Sequence, residues 1–252
     1  MRRRFMPLLL CVAGVLLSHG ATATAVSASP TPLVSDAQLD AASAYARARG
    51  GAVSFAVVDA PGGRPRGRNR YVDYPSASVS KAMLMVAVLR RAAARPLSGH
   101  ERALLKPMIA FSDNDAAATI YAAVGPAAMS SVARLARMQR FRETGYWAGE
   151  RITAADQARL FYRIDGLVPR RHRQYARDLL SGVTRSQRWG IARIAEQRGY
   201  KVFFKGGWRS GVNHQVALLE KDGRRLAIAI LTNHSDARGR RTQEGIAARL
   251  LD

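Results

Sequence analysis

The stretch from Ser78 to Leu89 reads SVSKAMLMVAVL, and it is the most informative segment of the 252-residue chain. Beyond Lys81 it is apolar at every position, so no stripe of polar residues is left for solvent. A helix of this composition is buried on all sides. The pattern therefore predicts a central helix that continues to about Arg95 and ends at Pro96, with the rest of the fold built around it.

The segment before this helix predicts one helix and two strands. Residues 36–49 have a helical pattern that ends at Gly50-Gly51. Residues 52–60 alternate and are rich in Val and Phe, which is typical of a strand. The turn residues Pro61-Gly62-Gly63 then lead to a second strand around Asn69 to Tyr74.

The segment after the central helix predicts more helices and then a return to strands. Capping boxes begin at Ser98 and Thr153, and helical patterns continue to about Ala195. Three strands and a closing helix follow, at 201–206, 214–220, 225–232 and 242–251. Strands at both ends of a chain with a helical middle predict an α+β fold, in which an antiparallel sheet is flanked by N- and C-terminal helices. The sheet part takes in about 30–74 and 197–252, and an inserted all-helical part takes in about 75–196.

The N-terminus has the order of a secretory signal peptide. Three arginines precede an apolar run from Phe5 to Leu17, and Ala23-Thr24-Ala25 fits the cleavage rule. The run is shorter than the roughly 20 residues of a membrane-spanning helix, which is the alternative. The sequence thus predicts a signal peptide at 1–25, a mature domain at 26–252 without a membrane span, and a location outside the cell or in its envelope. Cys11 lies in the apolar run, so the mature domain has no cysteine for a disulfide.

The chain is strongly basic, with 40 Lys and Arg against 18 Asp and Glu and a net charge of +22. Loss of Arg2, Arg3 and Arg4 with the signal peptide lowers this to +19. Such a charge makes an anionic cell-wall polymer a candidate partner. The alternative is a compositional bias, with arginines spread over solvated faces. The basic clusters lack interleaved aromatic residues, so no specific nucleic-acid partner is expected.

The residues Ser78-Val79-Ser80-Lys81 have types and a spacing that suit a serine nucleophile with a lysine base. Positions i and i+3 of a helix share a face, so the Lys81 amine is expected to reach the Ser78 hydroxyl. A buried amine has a lowered pKa and can act as the base that activates a serine. The N-terminus of the helix supplies backbone N–H groups for the charge that develops on the substrate.

Two further motifs are weaker when taken alone. Ser112-Asp113-Asn114 stands at a predicted helix start, where Asp113 or Asn114 also serves as an ordinary helix cap. Lys205-Gly206-Gly207 lies in a predicted strand, where glycines mark either the close approach of a ligand or a simple bend.

Together the three motifs resemble the joint signature of the serine β-lactamase (class A-like) and penicillin-binding protein (D-Ala-D-Ala peptidase) superfamily. The resemblance extends over essentially the whole mature chain. It implies that Ser78 is acylated, that Lys81 is its base and that Ser112 relays the proton. It further implies an oxyanion hole formed by the N–H groups of Ser78 and Trp208, and substrate-binding roles for Asn114, Lys205, Gly207 and Trp208. The side chain of Trp208 is equally suited to plain packing.

The sequence departs from the family pattern at three places. Ser112 follows Ser78 by only 34 positions, which indicates a deletion in the helical part. Class A enzymes have an omega loop with an E-x-x-x-N glutamate that activates the deacylating water, and residues 141–150 are too short for it. Glu150 or Glu143 is a candidate substitute, although Glu150 is as well placed to compensate the dipole of the following helix. Gly206 stands where the family has Thr or Ser, and Arg209 or Ser210 is a candidate replacement for that hydroxyl.

The expected function is that of an exported serine hydrolase that forms an acyl-enzyme through Ser78. Its substrates are expected to be peptidoglycan-type D-alanyl peptides or small β-lactam-like amides, with peptidase-like chemistry because the deacylating glutamate is not evident. One alternative is a genuine class A-type β-lactamase that uses Glu150 or Glu143, and another is a non-catalytic basic protein that binds the cell wall. The histidine spacing gives no metal site. No cofactor is expected, and a monomer is expected.

Overall fold

The computed structural model describes residues 32–252, which form one compact unit. The predicted signal peptide lies outside the described residues. In chain order the helices of this part are α1 (Asp36–Ala48), α2 (Lys81–Arg91), α3 (Gly99–Ala110), α4 (Asn114–Leu135), α5 (Ala154–Leu167), α6 (Arg173–Ser181), α7 (Ile191–Gln197) and α8 (Asp236–Leu250). The strands are β1 (Val53–Val58), β2 (Tyr74–Pro75), β3 (Arg151–Ile152), β4 (Lys201–Arg209), β5 (Val212–Lys221) and β6 (Arg224–Thr232).

Four of these strands form an antiparallel sheet in the order β1-β6-β5-β4. The hairpin between β5 and β6 turns at Asp222 and Gly223, whose φ angles of 50° and 72° suit a tight two-residue turn. The first and last segments of the unit therefore meet in one sheet. Strand β4 lies at one edge of the sheet and β1 lies at the other.

Helices cover the sheet on both faces. The central residues of all four strands are buried in unbroken runs, as expected when neither face meets solvent. Helices α1 and α8 pack together and α8 lies against β5, whereas α5 packs against β1 and β6. The α+β fold with helices from both chain ends flanking an antiparallel sheet is confirmed.

The central helix is buried as its composition predicts, because every residue from Lys81 to Leu89 in α2 is buried. Its bounds differ from the prediction. Residues Ala77–Ser80 form a 3-10 turn before α2, and the α-helix ends at Arg91 instead of Arg95. Ser78 therefore lies on the tight turn that leads into the helix.

The strand predicted around Asn69 to Tyr74 is wrong. Only Tyr74–Pro75 is extended, and it pairs with Arg151–Ile152 in a separate two-stranded ladder. The preceding segment runs beside β1, with an isolated antiparallel bridge between Val57 and Arg66, and a Cβ at Gly67 would lie 2.3 Å from the carbonyl oxygen of Phe55. Asn69 then takes a left-handed φ of 47°, which breaks an extended strand.

Helix α4 has the length and the apolar composition of a helix that could cross a membrane. It is interrupted at Gly125, whose φ of 75° and ψ of 168° are not helical, and Pro126 follows at once. It also packs against α2 and α3 and buries Ile120, Met129 and Val132. These contacts are those of a helix in a globular core, and its N-terminus carries Asn114 to the candidate site.

Candidate active site

The tight turn that carries Ser78 is held by backbone and side-chain bonds to residues 147–150. The N–H of Ala77 donates to the carbonyl of Ala148 at 2.9 Å, and the N–H of Ser76 donates to that of Glu150 at 2.8 Å. The hydroxyls of Ser76 and Ser80 both donate to the carbonyl of Trp147. Ala77 has a φ of 45°, a conformation that costs on the order of 1–3 kcal/mol. The surrounding bonds hold this conformation and thereby fix the position of Ser78.

Lys81 is the first residue of α2 and is fully buried. Its Nζ donates to the carbonyl of Ser112 at 2.5 Å, to the hydroxyl of Ser112 at 3.2 Å and to Oδ1 of Asn114 at 2.8 Å. It also lies 4.7 Å from the centre of the Trp147 ring. The first two motifs of the sequence therefore meet at one amine.

The hydroxyl of Ser112 lies between two lysines. Nζ of Lys205 donates to it at 3.0 Å from the side of β4, opposite the contact from Lys81. A serine hydroxyl has two lone pairs and one proton, so it can accept from both amines and still donate its own proton. Ser112 has a φ of 62°, and its carbonyl is held by Lys81. The structure thus joins all three motifs around one oxygen atom.

Burial lowers the pKa of both lysines. The pKa of Lys81 falls to about 8 because its amine is desolvated, an effect that the carboxylate of Asp113 partly offsets. The pKa of Lys205 falls well below its usual value because of burial and the neighbouring Lys81. The Lys81 amine therefore has an accessible neutral form near neutral pH, which a proton acceptor requires.

The predicted contact between Lys81 and Ser78 is not formed in this structure. Among the described residues the Ser78 hydroxyl has no hydrogen-bond partner, and the Lys81 amine is engaged by Ser112 and Asn114. Catalytic hydrogen bonds often tighten only when substrate is bound. The Lys81–Ser78 proton transfer stays a prediction.

Strand β4 packs closely against the Ser78 turn. A Cβ at Gly207 would lie 2.6 Å from the backbone nitrogen of Ser78 and 2.8 Å from that of Val79, so only glycine fits. The next residue, Trp208, is half-buried and contacts the ring of Trp189 edge to face at 5.8 Å. A cleft of about 210 Å³ opens above the turn and is lined by Ser78, Phe111, Ser112, Asn114, Gln187 and Trp208.

Gly206 points away from Ser78. A Cβ at this position would meet the ring atoms of Phe204 and Trp208, each at 3.2 Å. The rings of these two residues therefore take the space in which a larger residue at 206 would begin. The glycine at 206 therefore leaves room for the large ring of Trp208.

Glu150 lies in a different environment from the lysines. Its side chain is fully buried, and neither carboxylate oxygen has a hydrogen-bond partner among the described residues. Burial, with a smaller effect of Glu143, raises its pKa to about 9. Glu143 itself accepts a very short hydrogen bond from the hydroxyl of Tyr121 and one from the N–H of Gly145. The charged neighbour of Glu150 is thus Glu143, whereas that of Lys81 is Asp113.

Three residues of the site were not predicted from the sequence. Trp147 faces the Lys81 amine, and Phe111 is 62% exposed at the cleft wall. Gln187 lies on the 3-10 turn at Arg185–Gln187 and donates to the carbonyl of Phe111 at 3.0 Å. The position of Phe111 directly before the second motif was the one sequence feature that could have placed it in the site. Trp147 and Gln187 come from segments without a motif.

No group of three or more His, Cys, Asp or Glu side chains is arranged to hold a metal ion in residues 32–252. The two buried histidines nearest the sheet have structural contacts. Nε2 of His214 lies 3.0 Å from the carbonyl of Pro75, and Nε2 of His234 lies 2.7 Å from that of Gly50. Burial lowers the pKa of both rings.

Comparison with known proteins identifies the family and the fold of this chain. A sequence profile described as the beta-lactamase enzyme family matches residues 101–252. No curated protein sequence gives a match.

Solved structures share the fold at low identity. A beta-lactamase from Sphaerobacter thermophilus superimposes with a TM-score of 0.72 at 22% identity and covers 84% of this chain and 94% of its own. A class A beta-lactamase from Mycobacterium abscessus has a TM-score of 0.72 at 18% identity, with coverage of 85% and 98%. PBP-A has a TM-score of 0.73 at 14% identity, with coverage of 86% and 95%, and a variant of it has been solved as an acyl-enzyme complex with penicillin G.

Proposed function

This chain belongs to the beta-lactamase enzyme family and is a serine hydrolase of the beta-lactamase type, and from that premise we propose that it works through an acyl-enzyme on Ser78. The observation that carries the proposal is the Ser112 hydroxyl, which lies 3.2 Å from Nζ of Lys81 and 3.0 Å from Nζ of Lys205. This arrangement supplies a base, a proton relay and a cation beside one cleft.

In the proposed acylation, neutral Lys81 takes the proton from the Ser78 hydroxyl as the serine oxygen attacks the substrate carbonyl carbon. The pKa of about 8 makes a useful neutral fraction available near neutral pH. The proton then passes from Lys81 through Ser112 to the amide nitrogen as the carbon–nitrogen bond breaks. The products are an ester on Ser78 and a free amine, so no other reactant is needed.

Lys205 has a proposed role in binding the substrate carboxylate. Its amine is fully buried and directed at the cleft through Ser112. An incoming carboxylate favours the charged form of this amine and raises its lowered pKa. A charged Lys205 in turn disfavours a charged Lys81, since the two amines are close. Binding of an acidic substrate therefore prepares the base.

We assign the oxyanion hole to the backbone N–H groups of Ser78 and Trp208. Support comes from Gly207, where the absence of a side chain lets β4 approach the nitrogen of Ser78. Asn114 is proposed to position substrate and Lys81, because its Oδ1 already accepts from that amine at 2.8 Å. Phe111 and Trp208 add aromatic side chains to a cleft whose other lining residues, Ser78, Ser112, Asn114 and Gln187, are polar.

We favour peptidase-like chemistry on D-alanyl peptides over efficient turnover of β-lactams. Hydrolysis of the ester requires a base for the attacking water. Two other groups near Ser78 are already engaged. The Lys81 amine lies against the ring of Trp147, and the carboxylate of Asp113 caps α4 by accepting the N–H of Ala116 at 2.7 Å. Of the two candidate glutamates, Glu143 is engaged by the hydroxyl of Tyr121 and the N–H of Gly145, and the raised pKa of Glu150 leaves it protonated at neutral pH. A slow deacylation is therefore expected. With the predicted signal peptide, this suits an enzyme of the cell envelope.

The test is intact-mass measurement after incubation with labelled penicillin. The wild type is expected to gain one penicillin mass that persists for hours, and Ser78→Ala is expected to gain none. Ser43→Ala removes a hydroxyl from α1, which packs against α8 and β1, far from the cleft, and serves as the matched control. Rapid loss of the adduct with sustained hydrolysis would support the β-lactamase alternative. Labelling that persists in Ser78→Ala would refute the assigned nucleophile.

A further inference from the structure

A second cleft lies at the β1 edge of the sheet and is lined by four arginines. Its volume is about 200 Å³, and its walls come from the end of β1, the turn after it, the segment after α4, and α5. The arginines are Arg64, Arg137, Arg159 and Arg163. The proposed catalytic residues line the β4 edge of the same sheet, so the two clefts are separate.

The positive charge of this arginine cleft is largely unbalanced. Arg159 pairs with Asp156 at 2.9 Å, and the oxygens of Asp156 also accept the N–H groups of Gln139 and Arg140. The other three arginines of the cleft form no ion pair with any residue in 32–252. The Nε atom of Arg163 is buried and has no hydrogen-bond partner in that range. The cleft therefore has uncompensated positive charge, which favours an anionic ligand.

The side chains that line the cleft are suited to one class of ligand. The planar fork of arginine binds the oxygens of phosphate and carboxylate groups in pairs. Three unpaired cations exceed the charge of one carboxylate and match that of a phosphate group more closely. We propose that the arginine cleft binds a phosphate group. The group is carried either by a small free phosphate compound or by the repeating phosphodiester of an anionic polymer.

The position of the cleft makes the proposal independent of the acyl-transfer chemistry. Substitutions of Arg64 or Arg163 touch neither lysine of the candidate active site nor the Ser78 turn. The rate of acylation by penicillin is therefore expected to be unchanged in such variants. A failure of the proposed function and a failure of phosphate binding would be seen in different measurements.

The first experiment titrates the full-length mature protein with inorganic phosphate in a calorimeter at constant ionic strength. The wild type is expected to bind one phosphate saturably, and Arg163→Gln and Arg64→Gln are expected to bind at least about tenfold more weakly. Arg171→Gln removes the same charge from an exposed position outside the cleft and should bind as the wild type does. Thermal unfolding of each variant checks that the fold is retained.

The second experiment distinguishes the two sources by replacing inorganic phosphate with soluble poly(glycerol phosphate). Tighter binding of the polymer per phosphate, lost in Arg163→Gln, would identify the polymer. Equal binding per phosphate, also lost in Arg163→Gln, would identify a free phosphate compound. Equal weakening in Arg171→Gln and Arg163→Gln would overturn the proposal, because binding would then follow net charge alone. The absence of binding to both probes would also overturn it.

Discussion

A methyl group on Gly207 would begin 2.6 Å from the backbone nitrogen of Ser78. This contact joins the third motif to the first and sets the distance between β4 and the serine turn. The two neighbouring glycines, Gly206 and Gly207, therefore differ in how well they can accept a side chain. The Cβ position of Gly206 lies nearest to side-chain ring atoms of Phe204 and Trp208, each at 3.2 Å, and not to the backbone of the serine turn.

We expect Gly207→Ala to lower the second-order rate of acylation by penicillin by on the order of 10²-fold, because the strand must shift away from the serine nitrogen. Gly206→Ala is the matched variant and should lower the rate far less, since its new methyl group meets ring atoms at 3.2 Å and does not push against the Ser78 backbone. Stopped-flow acylation measures both. Equal losses in the two variants would contradict the assignment of Gly207 to the Ser78 contact.

The acylation rate should rise as the pH increases through about 8, the pKa of Lys81, because only the neutral amine takes the serine proton. Asp113→Asn keeps a residue able to cap α4 but removes the carboxylate that stabilises the charged amine. The midpoint of the pH profile is therefore expected to move to lower pH in this variant. A profile that is flat between pH 6 and 9, or a midpoint that moves upward, would exclude Lys81 as the base.

Binding of a D-alanyl carboxylate ligand should be accompanied by proton uptake. The pKa of Lys205 is lowered in the free protein and a bound carboxylate raises it, so this amine takes up protons, and any proton that Lys81 loses in response makes the net uptake smaller. Calorimetry of Ser78→Ala in buffers of different ionisation enthalpy at pH 7 measures this uptake. It should be absent when Lys205→Met is added. Uptake that survives this second substitution would mean that another group titrates.

Glu150 should make the protein less stable as the pH rises. Its pKa is about 9 in the folded protein and near 4.5 when exposed, so between these values the folded state holds a proton that the unfolded state has lost. The stability that protonated Glu150 contributes to the folded state is fully present below pH 4.5 and is lost as the pH rises through 9. The slope approaches about 1.4 kcal/mol per pH unit.

Glu150→Gln removes this titration while keeping the shape of the side chain. Urea unfolding at pH 5, 7 and 9 is expected to show that the stability of the variant relative to the wild type increases with pH. The difference in slope is the informative quantity, because the amide of the variant is itself left without partners. A difference that does not change with pH would mean that Glu150 is ionised in the folded state.

Local patterns were sufficient for the main elements of the fold. The apolar run of α2, the helix starts after Ser98 and Thr153 and the Val- and Phe-rich strand β1 depend on neighbouring residues and were predicted from them. The strand predicted near Asn69 failed because the segment before it already pairs with β1, through Arg66 and Arg68, and Asn69 then turns away with a left-handed φ.

The site was predictable only as far as its motifs extend. The three motifs name Lys81, Ser112 and Lys205, and the structure brings these side chains together. The ring of Trp147 beside Lys81 and the isolation of Glu150 result from how residues 141–150 fold against the serine turn, and no spacing rule describes that. In the same way Arg64 stands in a basic cluster of the sequence, but Arg137 and Arg163 join it only through tertiary packing.

The strand order β1-β6-β5-β4 has a practical consequence for work with this protein. Its two edges are three strand spacings apart, roughly 14 Å. A fluorophore or a solid support attached at the turn after β1 would leave the entrance beside Ser78 open. Immobilised enzyme prepared in this way should therefore retain access for large, insoluble substrates.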